Sequence, residues 1–421
     1  MTNETTAAAG QAEYGAGDTA GRGLSRATAL LFALACGLSV ANIYFAQPLL
    51  DAMAHDLGIT PAAIGIVVTL TQTGYALGLM LIVPLGDLWD RRRLIVGQSV
   101  LSAIALVIVG TASSATALLV GMILVGLLAV VVQVLVAFAA TLATPAERGR
   151  AIGTVTSGVV SGILLARFVA GTLADIGGWR LVYLTSSALM LIMAALLARV
   201  LPSHRPEASA NGTGQSYSQL LRSTAALFVE EPTLRERATF ALLIFASVNV
   251  FWSAIVLPLA APPFSLSHTT IGLLGIVGVA GALAARNSGR LADLGWGQRT
   301  TGLSLLLMLA AWVPIACLST SLWLVVAGVV MIDLAVQAVH VTNQSLIIAA
   351  RPDAASRLVG GYMVFYSIGS ALGAISSTAV YAIAGWIGVC MLGAGISAVA
   401  LLFWVITVSR TPVPTGICSE A

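Results

Sequence analysis

The sequence predicts an all-α membrane protein in which twelve transmembrane helices form two pseudo-symmetric bundles of six. Three observations indicate this fold class. The chain is 58% hydrophobic and only 9% charged, apolar stretches follow one another along it, and its two halves repeat each other. A soluble protein would carry about 25% charged residues. A transmembrane β-barrel is excluded, because its strands are about ten residues long and alternate in polarity.

Apolar stretches of about 20 residues, the length that a helix needs to cross a bilayer, account for most of the chain. The predicted spans cover residues 27–48, 61–85, 94–112, 117–143, 151–174, 180–200, 238–261, 269–288, 300–319, 322–349, 357–384 and 386–409.

An internal repeat with a displacement of 207 positions relates the two halves. Gly153 recurs as Gly360, Gly162 as Gly369, and the pair Gly178-Trp179 as Gly385-Trp386. The other matches are Asn42 with Asn249, Gly121 with Gly328, Pro145 with Pro352 and Arg150 with Arg357. Duplicated bundles of this kind hold a solute site between their halves. Repeated residues are expected to build the scaffold, and polar residues that break the repeat are candidates for function.

The basic residues predict the topology. All 20 are arginines, and they cluster on one side of the predicted spans, as at Arg91–Arg93 after the second span and at Arg148 and Arg150 after the fourth. The positive-inside rule therefore places both termini in the cytoplasm of a protein of the inner cell membrane. The net charge of +3 is not gathered on one surface, which excludes a nucleic-acid partner. The expected partners are the lipid bilayer and a small-molecule substrate, and we expect a monomer.

The chain divides into five predicted regions. These are a disordered cytoplasmic tail over 1–24, an N-terminal six-helix bundle over 25–200, a cytoplasmic central loop over 201–237, a C-terminal six-helix bundle over 238–410 and a cytoplasmic tail over 411–421. The four cysteines lack metal-ligand spacing, so neither a metal nor another cofactor is predicted. No nucleophile–base constellation stands out, and we expect a protein that is not an enzyme. Without any lysine it also lacks an ATP-binding loop.

The loop after the second span carries a recognisable motif. Its sequence is Gly86-Asp87-Leu88-Trp89-Asp90-Arg91-Arg92-Arg93, and a degenerate copy runs from Gly289 to Asp293. With twelve spans and a central loop, this motif resembles the signature of the major facilitator superfamily, although the second glycine that usually follows the acidic residue is missing here. The resemblance implies a fold of two rocking bundles, secondary transport and a gate at this loop.

The gating roles are carried over from that resemblance. Asp90 would face the amino end of a helix of the other half near Ser356, and the Arg91–Arg93 run would pair with Glu147. The gating candidates are Gly86, Asp87, Asp90, Arg91, Arg92, Arg93, Glu147, Arg148, Gly289 and Asp293. The alternative is that the arginines only determine topology.

A second pattern, in the fifth span, resembles the glycine-rich antiporter motif of the drug- and sugar-efflux branch of this family. Gly153, Gly162, Ala166 and Gly171 keep its spacing and its small residues. The proline of the motif is replaced by Arg167, which weakens the inference of antiport and puts a charge inside a span.

Arg167 and Asp333 break the repeat, because their counterparts are Ala374 and Gly126. A charge in the bilayer core is costly unless it is paired or faces water. Both residues lie about 26 Å from the arginine-rich ends of their helices, at ~1.5 Å per residue, so an ion pair across a central cavity is possible. Burial favours a protonated carboxyl group and a nearby arginine favours the ionised form. We therefore predict Asp333 and Arg167 as the proton-coupling residues, with a permanent structural ion pair as the alternative and Asp51 and His55 as weaker proton-site candidates.

Asp333, Gln337, His340 and Gln344 form one polar stripe on an apolar helix, which predicts a surface that lines a cavity or, alternatively, a static helix contact. His340 could also be an ordinary interior histidine. The further cavity candidates are Asn42, Tyr44, Gln47, Gln72, Gln133, Asn249 and Trp252. Asn42 and Asn249 are symmetry mates that could instead support the bundle, and Trp252 could be a packing residue.

The predicted function is proton-coupled export of a small amphipathic or polar molecule by alternating access, driven by a proton gradient. Two alternatives stay open. One is proton-coupled import of an organic anion, with Arg167 binding its carboxylate. The other is a membrane sensor of the same fold that transports nothing.

Overall fold

The computed structural model describes residues 25–144, 147–202, 216–278, 291–351 and 354–410, and the polypeptide in these ranges is mostly α-helical. The helices of the first half are α1 Arg26–Tyr44, α2 Leu50–Leu57, α3 Ile66–Leu81, α4 Arg91–Gly110, α5 Ala115–Ala129, α6 Val131–Leu142 and α7 Arg148–Val200. Those that follow are α8 Tyr217–Glu230, α9 Pro232–Ala254, α10 Val256–Ala260, α11 His268–Val277, α12 Gly297–Ala316, α13 Leu322–Ala350 and α14 Ala355–Arg410. Short 3-10 turns lie at Gln47–Leu49, Val83–Asp87 and Cys317–Ser319, and a π-helical turn lies at Ala292–Trp296.

These helices agree with the predicted spans. Within the described ranges, nine helical segments are long and apolar enough to cross a membrane, and α11 is a shorter apolar helix. Two of the nine, α7 and α14, each contain two predicted spans. Large apolar side chains point outward, among them Trp323 (80% exposed) and Ile383 (88% exposed). Such a surface is compatible with lipid and not with water, and the predicted fold class is confirmed.

The repeated glycines explain the breaks inside the two long helices. Gly178 has a φ of +78° and Gly385 a φ of +62°, a region that is strained for residues with a Cβ atom. Each glycine ends one span and lets the next begin with a tryptophan that is anchored by its indole N–H. Trp179 donates to Asp56 Oδ2 (3.2 Å), and Trp386 donates to the carbonyl of Ile315 (3.0 Å).

A second repeated pair shows how tightly the helices pack. A Cβ atom at Gly162 would lie 2.3 Å from the carbonyl oxygen of Gly37 on α1, and one at Gly369 would lie 2.2 Å from that of Leu242 on α9. The same helix contact therefore occurs in both halves. Gly153 and Gly360, the other repeated pair in these two helices, have nothing within 4 Å of a Cβ atom. Small residues are thus required at one level of this interface and not at the other.

Contacts between the halves are concentrated at the end of the molecule opposite to the Arg91–Arg93 run. Thr69 donates to the carbonyl of Ala371 (2.8 Å), and Thr378 Oγ1 accepts from the amide of Gly65 (3.2 Å). Glycines bring α7 and α11 together nearby, since a Cβ atom at Gly171 would lie 2.1 Å from the carbonyl of His268. We call this the opposite end, and the end that carries Arg91–Arg93 the arginine-rich end.

At the arginine-rich end the segment predicted as a central loop contains helix α8. Ser216 caps it through a reciprocal pair of hydrogen bonds with Gln219. Tyr217 donates to the carbonyl of Leu81 in the first half (2.8 Å), and the ring of Phe228 packs on that of Phe365 in the second (5.4 Å between centroids). The helix therefore connects the halves along their surface. The five-region division of the chain stays a prediction, and both predicted tails, 1–24 and 411–421, lie outside the described residues.

Candidate functional site

Arg167 lies between the two halves, where three aromatic and polar side chains surround it. It is only 6% exposed, on the part of α7 that precedes the Gly178 break. Its Nε donates to Oε1 of Gln47 (2.7 Å), and its guanidinium carbon lies 3.9 Å from the ring centre of Trp252 and 5.1 Å from that of Tyr44. Stacking on aromatic faces stabilises a guanidinium away from water. The charge is thereby held in place, and no carboxylate of the described residues contacts it directly.

Asp333 is the second charge of the site, and Trp252 lies between it and Arg167. The side chain of Trp252 hydrogen-bonds the carboxylate, and Arg167 acts on the carboxylate through its charge. Among the described residues these two charges do not approach within the 4.0 Å of an ion pair. Trp252 contacts both of them instead, so the direct ion pair that their equal depth made possible does not form in this conformation. Trp252 therefore contacts both charged residues, in addition to any packing role.

Gln47 and Asn249 extend the site across the interface. The Gln47 amide donates to Oδ1 of Asn249 (3.2 Å), and Asn249 donates in turn to Oγ of Ser370 (3.0 Å). Its symmetry mate Asn42 instead accepts from Ser186 within the first half (2.6 Å). The repeated asparagines therefore differ, since one supports its own bundle and the other belongs to the interface.

An aromatic cluster continues the site along the second half. The hydroxyl groups of Tyr44 and Tyr366 share a hydrogen bond between the halves. Phe245 lies edge-on to Tyr366 (4.0 Å between centroids) and to His340 (5.2 Å). His340 Nδ1 lies 2.9 Å from the hydroxyl of Tyr362, and Nε2 lies 3.3 Å from the amide of Gln344. His340 is thus an interior histidine with two polar neighbours.

The remaining predicted cavity residues form no hydrogen bond with Arg167 among the described residues. All four members of the α13 stripe, Asp333, Gln337, His340 and Gln344, are half-buried, as expected of a surface that faces other helices. Gln133 donates to the hydroxyl of Tyr75 inside the first half (3.3 Å). Gln72 is buried, and its carbonyl oxygen has no hydrogen-bond partner among the described residues.

A glycine face on α11 was missed by the sequence reasoning. A Cβ atom at Gly272 would lie 2.3 Å from the Arg167 carbonyl, one at Gly275 would lie 3.0 Å from the Arg167 Cβ, and one at Gly278 would lie 2.7 Å from Oδ2 of Asp333. The spacing of three residues in Gly272, Gly275 and Gly278 was a usable signal. This face gives both charged side chains room to lie along α11.

Arg237 was also missed, because it was counted with the topology arginines. It is 3% exposed and pairs with Glu236 (2.8 Å), and it donates to Oδ1 of Asn343 (3.4 Å). Its Nε and the Nδ2 of Asn343 are buried and have no hydrogen-bond partner among the described residues. No sequence signal distinguished this arginine from its exposed neighbours.

The predicted gate at Arg91–Arg93 forms contacts within the first half. Asp90 accepts from the amide of Arg93 (2.9 Å) and so caps α4. Arg91 donates to the carbonyl of Gly86 (3.0 Å) and to Thr141 (2.7 Å), and Arg92 donates to the carbonyl of Ala198 at the end of α7. These bonds support the fold of the first bundle.

The predicted pairing of Glu147 with the Arg91–Arg93 run does not occur in this conformation. Glu147, which precedes α7, instead accepts from Thr144 (3.1 Å) and lies 3.4 Å from Arg150 in the first turn of that helix. Arg148 is the exposed first residue of α7. Gly289 lies outside the described residues, as do the side chains of Asp87, Asp293 and Ser356, so the contacts predicted for them stay predictions.

Comparison with known proteins identifies the family to which this fold belongs. The profile of the Major Facilitator Superfamily matches residues 32–253 and 238–419. The uncharacterized transporter YgaY of Escherichia coli O157:H7 is 45% identical over 90% of this chain and 95% of its own. The "Probable transporter SCO4007" of Streptomyces coelicolor is 30% identical over 93% of this chain and 90% of its own.

A crystal structure gives the same fold. A bacterial homolog to the human lysosomal transporter Spinster, in an inward-facing and unoccupied conformation, superimposes with a TM-score of 0.74 over 92% of this chain and 98% of its own, at 16% identity. The relatives are named as transporters and not as enzymes, in agreement with the expected class. The chain therefore belongs to the Major Facilitator Superfamily of multi-pass membrane transporters.

Proposed function

We propose that the protein is a proton-coupled secondary transporter that exports a small amphipathic or polar molecule by alternating access. Asp333 carries the proton, Arg167 responds to its charge, and the surrounding groups of both halves contact the substrate. The energy comes from the proton gradient across the inner membrane. The arginine-rich end faces the cytoplasm, in line with the positive-inside rule.

One observation carries this proposal. The charged residues that break the repeat meet at the interface of the halves, where Trp252 of the second half contacts Arg167 of the first and also bonds Asp333. Only a group whose interactions differ between two conformations can shift their populations. Rocking of the halves would separate Arg167 from Trp252 and Asp333, so the charge on Asp333 would be stabilised differently in the two states.

The coupling step follows from these contacts. With Asp333 ionised, its charge attracts Arg167 and holds the halves together around Trp252. This arrangement of Arg167 is the one that binds the substrate. With Asp333 protonated that attraction is lost, Arg167 moves away from Trp252, and the substrate is bound less tightly. Proton and substrate thus favour opposite arrangements of Arg167, which is the requirement for exchanging one for the other. The part of the glycine-rich antiporter pattern that remains, at Gly153 and Gly162, favours export, although Arg167 stands where the motif has its proline.

A transport screen tests the proposal. The protein is reconstituted in vesicles, and the flux of amphipathic and polar compounds is measured with and without a pH gradient, for the wild type and for Asp333→Asn. We expect gradient-dependent flux of at least one compound in the wild type and its loss in Asp333→Asn. Asp333→Glu, which keeps a carboxyl group at the same position, is the matched control and should retain the gradient dependence. Equal gradient dependence in the wild type and Asp333→Asn would show that the proton binds at a residue other than Asp333.

A second candidate function is proton-coupled import of an organic anion. The observation that favours it is that Arg167 uses only Nε toward Gln47, while its terminal nitrogens have no hydrogen-bond partner among the described residues. Those donors match the geometry of a carboxylate. Flux measurements in inside-out vesicles separate the two candidates, because export appears there as uptake that requires an acidic interior, whereas an importer releases its anion.

A further inference from the structure

His268 is held between two carboxylates at the opposite end of the molecule. It is the first residue of α11, and its Nδ1 lies 3.1 Å from Oδ1 of Asp175 on α7. Its Nε2 lies 3.3 Å from Oδ1 of Asp51 on α2. Both aspartates belong to the first half and His268 to the second, so the cluster joins the halves. The three side chains are 25–29% exposed, which leaves a route for protons from water.

The two contacts cannot both be favourable for a neutral ring. A neutral imidazole donates from one nitrogen and accepts at the other, whereas the imidazolium donates from both. With neutral His268 a nitrogen lone pair would face a carboxylate oxygen. Asp51 Oδ1 and His268 Nε2 have no other hydrogen-bond partner among the described residues, so this contact depends on the proton.

Asp175 differs from Asp51 in this respect. Its carboxylate also accepts from the main-chain amides of His268 (3.1 Å) and Thr269 (2.8 Å), the first amides of α11. These bonds do not change when the imidazole changes charge. Asp175 therefore anchors α11 at any pH, and Asp51 adds the proton-dependent contact.

The other charged groups around the cluster are already engaged or distant. On α2, Asp56 binds Arg180 and Trp179, and His55 is exposed. The chain from 261 to 267, which leads into α11, has no charged residue. On α13 the nearest titratable group is Asp333, which lies beside Gly278 at the far end of α11.

We propose that His268 is a proton-binding site between the two halves, separate from Asp333, and that its protonation holds the opposite end closed. Opening of that end requires Asp51 and Asp175 to leave His268, and the imidazolium resists this separation more than the neutral ring does. Low pH on that side thus favours the conformation described here. The inference uses the alternating access proposed above, but it does not depend on any substrate.

Distance measurements between spin labels test it. Labels are placed at Thr60 and Ser319, two exposed positions on different halves at the opposite end, and their distance is measured in lipid nanodiscs without substrate. The starting protein, the wild type of this experiment, has cysteines 36, 317, 390 and 418 replaced by alanine and Asp333 by asparagine, so that the other proposed proton site does not respond to pH. The two conditions are about pH 5 and about pH 8, which bracket the range in which histidine changes charge. We expect the ratio of short to long distances to be about tenfold higher at the lower pH, within the range usual for coupled sites.

Variants identify the responsible residue. His268→Gln and Asp51→Asn should each remove the pH response, and Asp175→Asn should increase the long distances at both pH values because it also removes the anchor of α11. His55→Gln, on the same helix as Asp51, is the matched control and should respond as the wild type does. An unchanged pH response in His268→Gln, or long distances in the wild type that do not change with pH, would overturn the inference. If long distances appear in no variant at either pH, alternating access itself is contradicted.

Discussion

Gly162→Ala and Gly153→Ala should have opposite effects on stability, although both glycines lie in α7 and both recur in the second half. An alanine Cβ at position 162 would lie 2.3 Å from the Gly37 carbonyl oxygen and 2.6 Å from the Gly37 Cα. Ordinary contacts begin near 3.4 Å, so α1 and α7 must separate by about 1 Å. Overpacking of this kind costs about 1–3 kcal/mol. The better helix propensity of alanine returns about 1 kcal/mol.

The net loss for Gly162→Ala is therefore up to about 2 kcal/mol. Gly153→Ala, with nothing within 4 Å of its Cβ atom, should instead gain up to about 1 kcal/mol. Thermal unfolding of the purified protein, followed by tryptophan fluorescence, measures both effects. At about 2–4 °C per kcal/mol, Gly162→Ala should melt up to about 8 °C below the wild type. Gly369→Ala and Gly360→Ala repeat the comparison in the second half, where the contact to Leu242 is 2.2 Å. Equal melting temperatures for Gly162→Ala and Gly153→Ala would refute the packing argument.

Two further variants test the site. Arg167→Lys keeps the charge but loses the flat guanidinium that stacks on Trp252 and the Nε bond to Gln47. We expect flux to fall roughly 10- to 30-fold, because about 2 kcal/mol of cation–π contact is lost. Flux equal to that of the wild type would show that the charge alone suffices. Gly278→Ala places a Cβ atom 2.7 Å from Oδ2 of Asp333 and should reduce gradient-driven flux. Gly360→Ala, whose Cβ atom has nothing within 4 Å, is the control and should leave the flux unchanged. Equal effects of the two variants would argue against a positioning role for the α11 glycines.

The sequence was sufficient for the fold because the bilayer imposes a simple rule. Apolar stretches of spanning length must become helices, so the spans could be read from hydropathy alone. The repeat then indicated which glycines are structural. Gly178 and Gly385 occupy equivalent breaks with positive φ, and Gly162 and Gly369 occupy equivalent close contacts. Gly153 and Gly360 show the limit of this reasoning, because packing does not explain why both are glycine.

The site was only partly accessible from the sequence. The equal depths of Arg167 and Asp333 placed them at one level, and the structure does bring them together. Depth along a helix does not give side-chain direction, so the position of Trp252 between the two charges could not be predicted. His268 was not noticed at all, because its partner Asp175 is 93 residues away and no local pattern connects them. Arg237 was misread because exposed and buried arginines at a helix end look alike in a sequence.

The central claim is that Asp333 couples proton movement to solute movement through its contacts between the halves. Once the screen has supplied a substrate, vesicles that contain either the wild type or Asp333→Asn are compared in two modes: exchange of labelled for unlabelled substrate at equal pH, and accumulation driven by a pH gradient. We predict that Asp333→Asn keeps exchange and loses accumulation, because the halves still rock but no proton is carried. Accumulation at the wild-type level in Asp333→Asn would contradict the claim.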